Sequence, residues 1–134
     1  MTDWPGPISA ITLFAEDVPA TKSFYVEVFG LPVVYEDSAS CVFRFGTQLI
    51  NILDAAEAPG LIAPTTPGRA GTPPRFQFTL DVDDVDAAAA DLARRGVVLL
   101  NGPMDREWGI RTALFADPTG SLWEIAAPLP QSAG

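Results

Sequence analysis

A chain of 134 residues, 48% hydrophobic and 19% charged, holds enough apolar material for one compact domain and is too apolar for a disordered tail. Seventeen acidic residues against eight basic leave a net charge of -9, which argues against a nucleic-acid partner, because neutralising phosphates takes clustered Lys and Arg. With no His and one Cys, the chain has no Ser-His-Asp or Cys-His centre, no intrachain disulfide and no multi-thiolate metal site.

In chain order, residues 8 to 14 read as a first strand rich in β-branched and aromatic side chains. Asp17 reads as a helix start, with Pro19 in the first turn. Ala20 to Phe29 then pairs Phe24 with Val28 and Tyr25 with Phe29 at helical spacing, and Gly30 and Pro32 stop the helix. Three short strands are expected at 33 to 36, 40 to 45 and 48 to 53, broken by Asp37-Ser38 and Gly46-Thr47. Cys41, on the middle one without an evident cationic neighbour, reads as an inert core thiol.

Residues 55 to 74 hold five prolines and three glycines and are expected to form a linker through which no helix or central strand runs. The second half repeats the order of the first without obvious sequence identity. Arg75 to Asp81 alternates as a strand, and Asp84 to Arg95 is an Ala-rich helix closed by Gly96. Strands follow at 97 to 100, before Asn101-Gly102-Pro103, at 110 to 115, and at 121 to 126 after the turn Asp117-Pro118-Thr119-Gly120. The acids Asp81, Asp83, Asp84 and Asp86 sit where carboxylates favour a helix N-terminus and where one of them can cap it. The fold class is α+β, two βαβββ modules at about 8–54 and 75–127, read as one domain over 1–134. The longest apolar stretches fall short of the roughly 20 residues of a membrane span, and Met1-Thr2-Asp3-Trp4-Pro5 lacks a signal-like core. A cytoplasmic protein with no membrane partner is expected.

Asp17-Val18-Pro19-Ala20-Thr21-Lys22-Ser23-Phe24-Tyr25 leads to Phe29-Gly30-Leu31. Asp83-Asp84-Val85-Asp86 leads to Arg95-Gly96-Val97, and Trp108-Gly109-Ile110-Arg111 leads to Asp117-Pro118-Thr119-Gly120. In this order and spacing the motifs make the chain resemble the vicinal-oxygen-chelate superfamily of glyoxalases, bleomycin- and fosfomycin-resistance proteins and extradiol dioxygenases. The resemblance implies curved sheets around a pocket and a homodimer. It also implies that metal-dependent members carry ligands at the positions of Ala10, Asn51, Gln77 and Glu124. A methyl group, two neutral amides and one carboxylate make tight zinc, nickel or iron binding unexpected, leaving at most a weakly held divalent metal on Asn51, Gln77 and Glu124.

Strand alternation on these anchors gives a pocket face of Ala10, Thr12 and Phe14, then Leu49, Asn51 and Leu53, Gln77 and Thr79, and Leu122, Glu124 and Ala126. Ile11 with Leu13, Phe76 with Phe78 and Leu80, and Trp123 with Ile125 should pack under the helices. Trp108, by resemblance, either stacks on a flat ligand or covers a hairpin end, and Arg111 either faces the pocket or pairs with an acid. Trp4 has no clear assignment beyond capping a dimer or packing under Pro5 and Pro7. The leading expectation is a non-catalytic protein that binds an apolar or aromatic, antibiotic-like small molecule, with no cofactor. The alternatives are a metal-dependent lyase, isomerase or dioxygenase and a metal-free enzyme with Glu124 as catalytic base. The loops at 36 to 40, 55 to 74 and 101 to 109 are expected to choose the ligand.

Overall fold

The structure, a computed structural model, describes residues 5–130. Trp4 lies outside them. The chain divides into two compact units, Met1–Arg69 and Ala70–Gly134, with the division inside the expected linker.

The first unit holds β1 (Ala10–Ala15), α1 (Val18–Glu27), β2 (Tyr35–Glu36), β3 (Ser40–Phe45) and β4 (Gln48–Asp54). They form a four-stranded mixed sheet of order β1-β4-β3-β2, in which β1 runs parallel to β4 and the remaining pairs are antiparallel. The Asp17 side chain accepts the Ala20 N–H at 3.0 Å, satisfying one of the amides that a helix start leaves without a partner. Period-two alternation sends Leu13, Ala15, Cys41, Phe43, Ile50 and Ile52 to one face, where they are buried with Tyr25 and Val28 of the helical segment. The Tyr25 ring lies 5.1 Å from both Phe29 and Phe43 and 6.0 Å from Phe45. At about 1.5–3 kcal/mol per fully buried large apolar side chain, this layer supplies most of what holds the unit together. Thr21, buried in the same layer, donates its hydroxyl to the Asp17 carbonyl at 2.8 Å and so avoids an unpaired polar group.

The second unit repeats the plan with β5 (Gln77–Asp81), α3 (Val85–Arg94), β6 (Asn101–Asp105), β7 (Ile110–Ala116) and β8 (Leu122–Pro128). Its sheet order is β5-β8-β7-β6, with β5 parallel to β8. Asp84 caps α3 through the Ala87 N–H at 3.1 Å, the counterpart of the Asp17 cap. Val85, Ala89 and Leu92, spaced as one helical stripe, are buried, as are Ala113, Phe115, Trp123 and Ile125 on the sheet. Phe78 packs on Trp123 with ring centroids 4.4 Å apart.

The repeat is visible in residue identities as well as in order. Thr12-Leu13 followed by Asp17-Val18-Pro19-Ala20 recurs at one constant offset as Thr79-Leu80 followed by Asp84-Val85-Asp86-Ala87. It fixes the strand register and the helix cap in both units.

Three expectations need correction. The linker is not free of helix: a 3-10 turn spans Ala55–Glu57 and a short helix, α2, spans Pro59–Ile62, with Pro59 in its first turn, where proline is compatible with a helix. The strand expected at 97 to 100 lies instead at Asn101–Asp105, through the residues read as a turn. Strand β6 is the edge of its sheet and is bulged between Asn101 and Met104, the setting in which a strand tolerates Pro103 and Gly102. Phe76 precedes β5 rather than packing under α3, and is 54% exposed with its ring edge-on to Phe78 at 5.2 Å.

Candidate functional site

Each sheet has one face covered by its own helix and core, and a second face on which the register of the strands sets out rows of side chains. In the first unit these rows are Ala10–Leu49–Arg44, Thr12–Asn51–Val42 and Phe14–Leu53–Ser40, reading across β1, β4 and β3. In the second they are Gln77–Leu122–Ala116, Thr79–Glu124–Leu114 and Asp81–Ala126–Thr112, across β5, β8 and β7. The open-face expectations from β1, β4, β5 and β8 therefore fall as alternation placed them. Phe14, Leu49, Leu53, Leu122 and Leu114 are half-buried, whereas Ala126, expected to line a pocket, is buried.

The middle rows carry the same chemistry twice. In the first unit the Asn51 amide Nδ2 donates to the Thr12 hydroxyl at 3.3 Å. In the second the Thr79 hydroxyl donates to Glu124 Oε1 at 3.1 Å. Each pair joins the two parallel strands of its sheet at equivalent positions, one neutral and one anionic. Glu124 Oε1 is thereby oriented by a neighbour, while Oε2 makes no hydrogen bond among the described residues.

The register of Glu124 is set by the turn before β8. Asp117 is 5% exposed, and its Oδ1 accepts from the Thr119 N–H at 2.8 Å and the Ser121 N–H at 3.2 Å. Its Oδ2 accepts the buried Trp123 indole N–H at 3.0 Å. One carboxylate thus ties the turn to the core residue beside Glu124.

Arg111 resolves in favour of its acid-pairing alternative. It shares the helix-side face of β7 with Ala113 and Phe115, and its guanidinium reaches Asp105 and Asp86, each at 2.7 Å. The hydrogen bond to Asp105, with the charges of both acids, raises its already high pKa. Trp108 lies in the loop between β6 and β7, 70% exposed, with the Arg106 guanidinium 6.0 Å from its ring centroid. Arg106 in turn donates to Thr112, the β7 member of the last row of the second open face, at 3.0 Å.

Beyond the open faces, Glu16, Asp17, Glu36, Asp37 and Asp54 surround Lys22 near the start of α1. Lys22 pairs with Glu36 at 2.8 Å, and that hydrogen bond and charge raise its pKa. Asp37 accepts from the Ala39 N–H and the Ser40 hydroxyl, which hold its carboxyl below the ordinary value. Asp17 and Asp54 accept from the Ala20 and Ala56 N–H groups, and Glu16 lies 3.8 Å from Arg69.

The donor chemistry of the four positions inferred for a metal does not match a tightly bound divalent ion. Ala10 offers a methyl group, Asn51 directs its amide N–H to Thr12, Gln77 is neutral, and Glu124 is the one carboxylate. Among the described residues no group of three or more Asp, Glu or Cys is placed to hold a cation.

The sequence expectations drew the pocket face from β1, β4, β5 and β8 alone and so missed what the neighbouring strands add: Val42 and Arg44 on β3, and Leu114 and Ala116 on β7. Applying the same alternation to residues 40 to 45, where Cys41 and Phe43 point to the core, would have found Arg44.

Residues 8–125 match the family described as the Glyoxalase/Bleomycin resistance protein/Dioxygenase superfamily. The chain is 33% identical over 121 residues to the Bacillus subtilis protein YraH, covering 86% of this chain and 93% of that one. It is 34% identical over 111 residues to a Mycobacterium bovis protein named "Putative glyoxylase CFP32", covering 81% of this chain and 39% of that longer protein. Among solved structures, a glyoxalase/bleomycin resistance protein/dioxygenase from Nocardioides superposes with a TM-score of 0.85 at 21% identity, over 99% of this chain and 93% of its own. TnmS3, an antibiotic binding protein from a Streptomyces species, superposes with a TM-score of 0.70 at 24% identity, over 95% and 99%.

Proposed function

The chain belongs to the glyoxalase/bleomycin resistance protein/dioxygenase superfamily, and from that membership we propose that it is a metal-free, non-catalytic binding protein for a small, flat, largely apolar molecule. The observation that carries this reading is the donor set at Ala10, Asn51, Gln77 and Glu124, which offers one carboxylate and no imidazole. On the first open face Phe14, Leu49 and Leu53, and on the second Leu114 and Leu122, offer half-buried apolar surface whose removal from water gains about 25 cal/mol per Å². Thr12 with Asn51 and Thr79 with Glu124 supply oriented polar groups and Gln77 a further amide, the usual make-up of a small-molecule site. The fold shared with the antibiotic binding protein TnmS3 is consistent with such a role, though a fold hosts many functions and the residues carry the argument. The reading takes both units as one binding domain and the protein as a homodimer, which sedimentation in solution tests.

The test is dialysis of metal-free protein against zinc, nickel, manganese, iron and magnesium in turn, with elemental analysis and melting temperature read on the same samples. No retained metal and no shift are expected. Near-stoichiometric metal with a raised melting temperature would overturn the metal-free reading and restore a glyoxalase-type enzyme.

One observation favours a second reading, a metal-free enzyme with Glu124 as general base: Thr79 orients one oxygen of that carboxylate and leaves the other without a hydrogen bond among the described residues. Glu124→Gln separates the two. Under the binding reading the isostere weakens ligand affinity a few-fold, and under the enzymatic one it abolishes turnover.

A further inference from the structure

We propose that Arg44 is the ligand-selecting residue of this site and that the molecule it selects carries a carboxylate at one end of its flat apolar body. The proposal rests on the binding reading above and adds the chemical class of the ligand.

Arg44 stands on β3 in the row Ala10–Leu49–Arg44, on the open face, because Cys41 and Phe43 occupy the core side of the same strand. Its side chain borders an open groove of about 630 Å³. Pro7, Ile8 and Leu49 give that groove an apolar part, and Ser9, Thr47 and Gln48 also line it. An arginine in a groove that it shares with polar and apolar residues matches a carboxylate on a flat hydrophobic body, since the planar fork of Arg binds both carboxylate oxygens at once.

The charge inventory gives the same answer independently. The chain has seventeen Asp and Glu for eight Lys and Arg, and most of the basic side chains pair with an acid. Lys22, Arg69, Arg94, Arg95 and Arg111 all lie within 4.0 Å of a carboxylate oxygen. Arg106 is held by Thr112 and sits over Trp108. Arg44 makes no ion pair among the described residues, and it is the cation that the strand rows of the open faces contain. Arg75, likewise unpaired among the described residues, precedes β5 and lies outside those rows.

Comparison of the two units shows that the fold does not need this charge. The place of Arg44 in the first unit is taken in the second by Ala116, next to Leu122 as Arg44 is next to Leu49. The neighbouring row keeps its character, with Thr12 or Thr79 on the first strand and an apolar Val42 or Leu114 opposite the central polar residue. An arginine that the scaffold can replace by alanine is available for ligand.

The experiment is isothermal titration calorimetry of the full chain with naphthalene carboxylate and with its neutral carboxamide, on the wild type, Arg44→Gln and Arg44→Lys. The wild type should prefer the carboxylate by ~10-fold or more, the scale of a charge-assisted hydrogen bond. Arg44→Gln should bind both probes as the wild type binds the carboxamide, and Arg44→Lys should keep part of the preference, since a point charge lacks the fork. Arg44 is exposed, so unchanged melting temperatures are expected for both variants. Equal wild-type affinities for the two probes, or a carboxylate preference that survives Arg44→Gln, would overturn the role of Arg44 while leaving the binding reading intact. Failure of both probes to bind the wild type at millimolar concentration would count against the role of Arg44 and the binding reading alike.

Discussion

Replacing Asp117 tests whether one carboxylate joins the turn before β8 to the core. In Asp117→Ala the Trp123 indole N–H loses its acceptor inside the core, where an unsatisfied donor costs about 1–3 kcal/mol. The Thr119 and Ser121 amides also lose theirs, but both are only part-buried, and water recovers much of that loss. The total comes to about 3 kcal/mol, or a fall in melting temperature of roughly 10 °C. Asp117→Asn should cost less, about 1–2 kcal/mol, because its carbonyl can still accept from the turn while its amide N–H opposes the indole N–H. Urea unfolding followed by tryptophan emission measures both variants, and a red shift of the native spectrum would report water reaching Trp123. If Asp117→Ala unfolds within about 0.5 kcal/mol of the wild type with native emission unchanged, the reasoning fails, and with it the claim that this turn sets the register of Glu124.

Two glycines with positive φ make a controlled pair. A Cβ at Gly102 (φ +82) would collide with the Thr112 carbonyl oxygen and Ala113 Cα, whereas at Gly46 (φ +61) it meets nothing within 4 Å. Gly46→Ala should cost about 1 kcal/mol of backbone strain and Gly102→Ala at least ~2 kcal/mol more, and equal melting temperatures would contradict this. Asp37 has a carboxyl held below its ordinary value of 3.8 by the Ala39 N–H and then the Ser40 hydroxyl. Its stabilising contribution is therefore full above that pH and is lost as pH falls through the lower folded value, so an acid titration of melting temperature should fall less steeply for Asp37→Asn. Cys41 is 1% exposed, and burial, then Glu36, raises its thiol pKa. A disulfide reagent at neutral pH should label it only after denaturation, and rapid labelling of native protein would show the core description to be wrong.

The parts of the fold that the sequence made legible are those where local chemistry and tertiary packing agree. Asp17 and Asp84 each precede a helix that needs an acceptor, Gly30 and Gly96 adopt the positive φ that follows it, and alternation placed Leu13, Trp123 and Ile125 in the core. Strand β6 was not legible, because Gly102 and Pro103 signal a turn unless the strand is known to lie at an edge, and edge position is a property of the sheet. The helix at Pro59–Ile62 was hidden because a proline-rich composition says nothing about which proline falls in a first turn. For the site, the residues of the parallel strands could be written down from register alone. Arg44 required knowing that β3 stacks beside β4, and the commitment of Arg111 to Asp86 depends on how α3 lies over β7, a contact across 25 positions of chain.

The bulged, proline-bearing strand at Asn101–Asp105 also governs what the protein does in a crowded solution. A regular edge strand offers a ladder of amides and carbonyls on which a foreign strand can nucleate, and a sheet with such an edge invites fibrous growth. Pro103 has no amide hydrogen to offer, and the shifted register between Asn101 and Met104 interrupts the spacing that an incoming strand would need. Beside it Val98 and Leu100 are exposed, the kind of apolar margin that would otherwise make such an edge adhesive. The irregularity that disguised this strand in the sequence is thus a safeguard against self-association by strand addition.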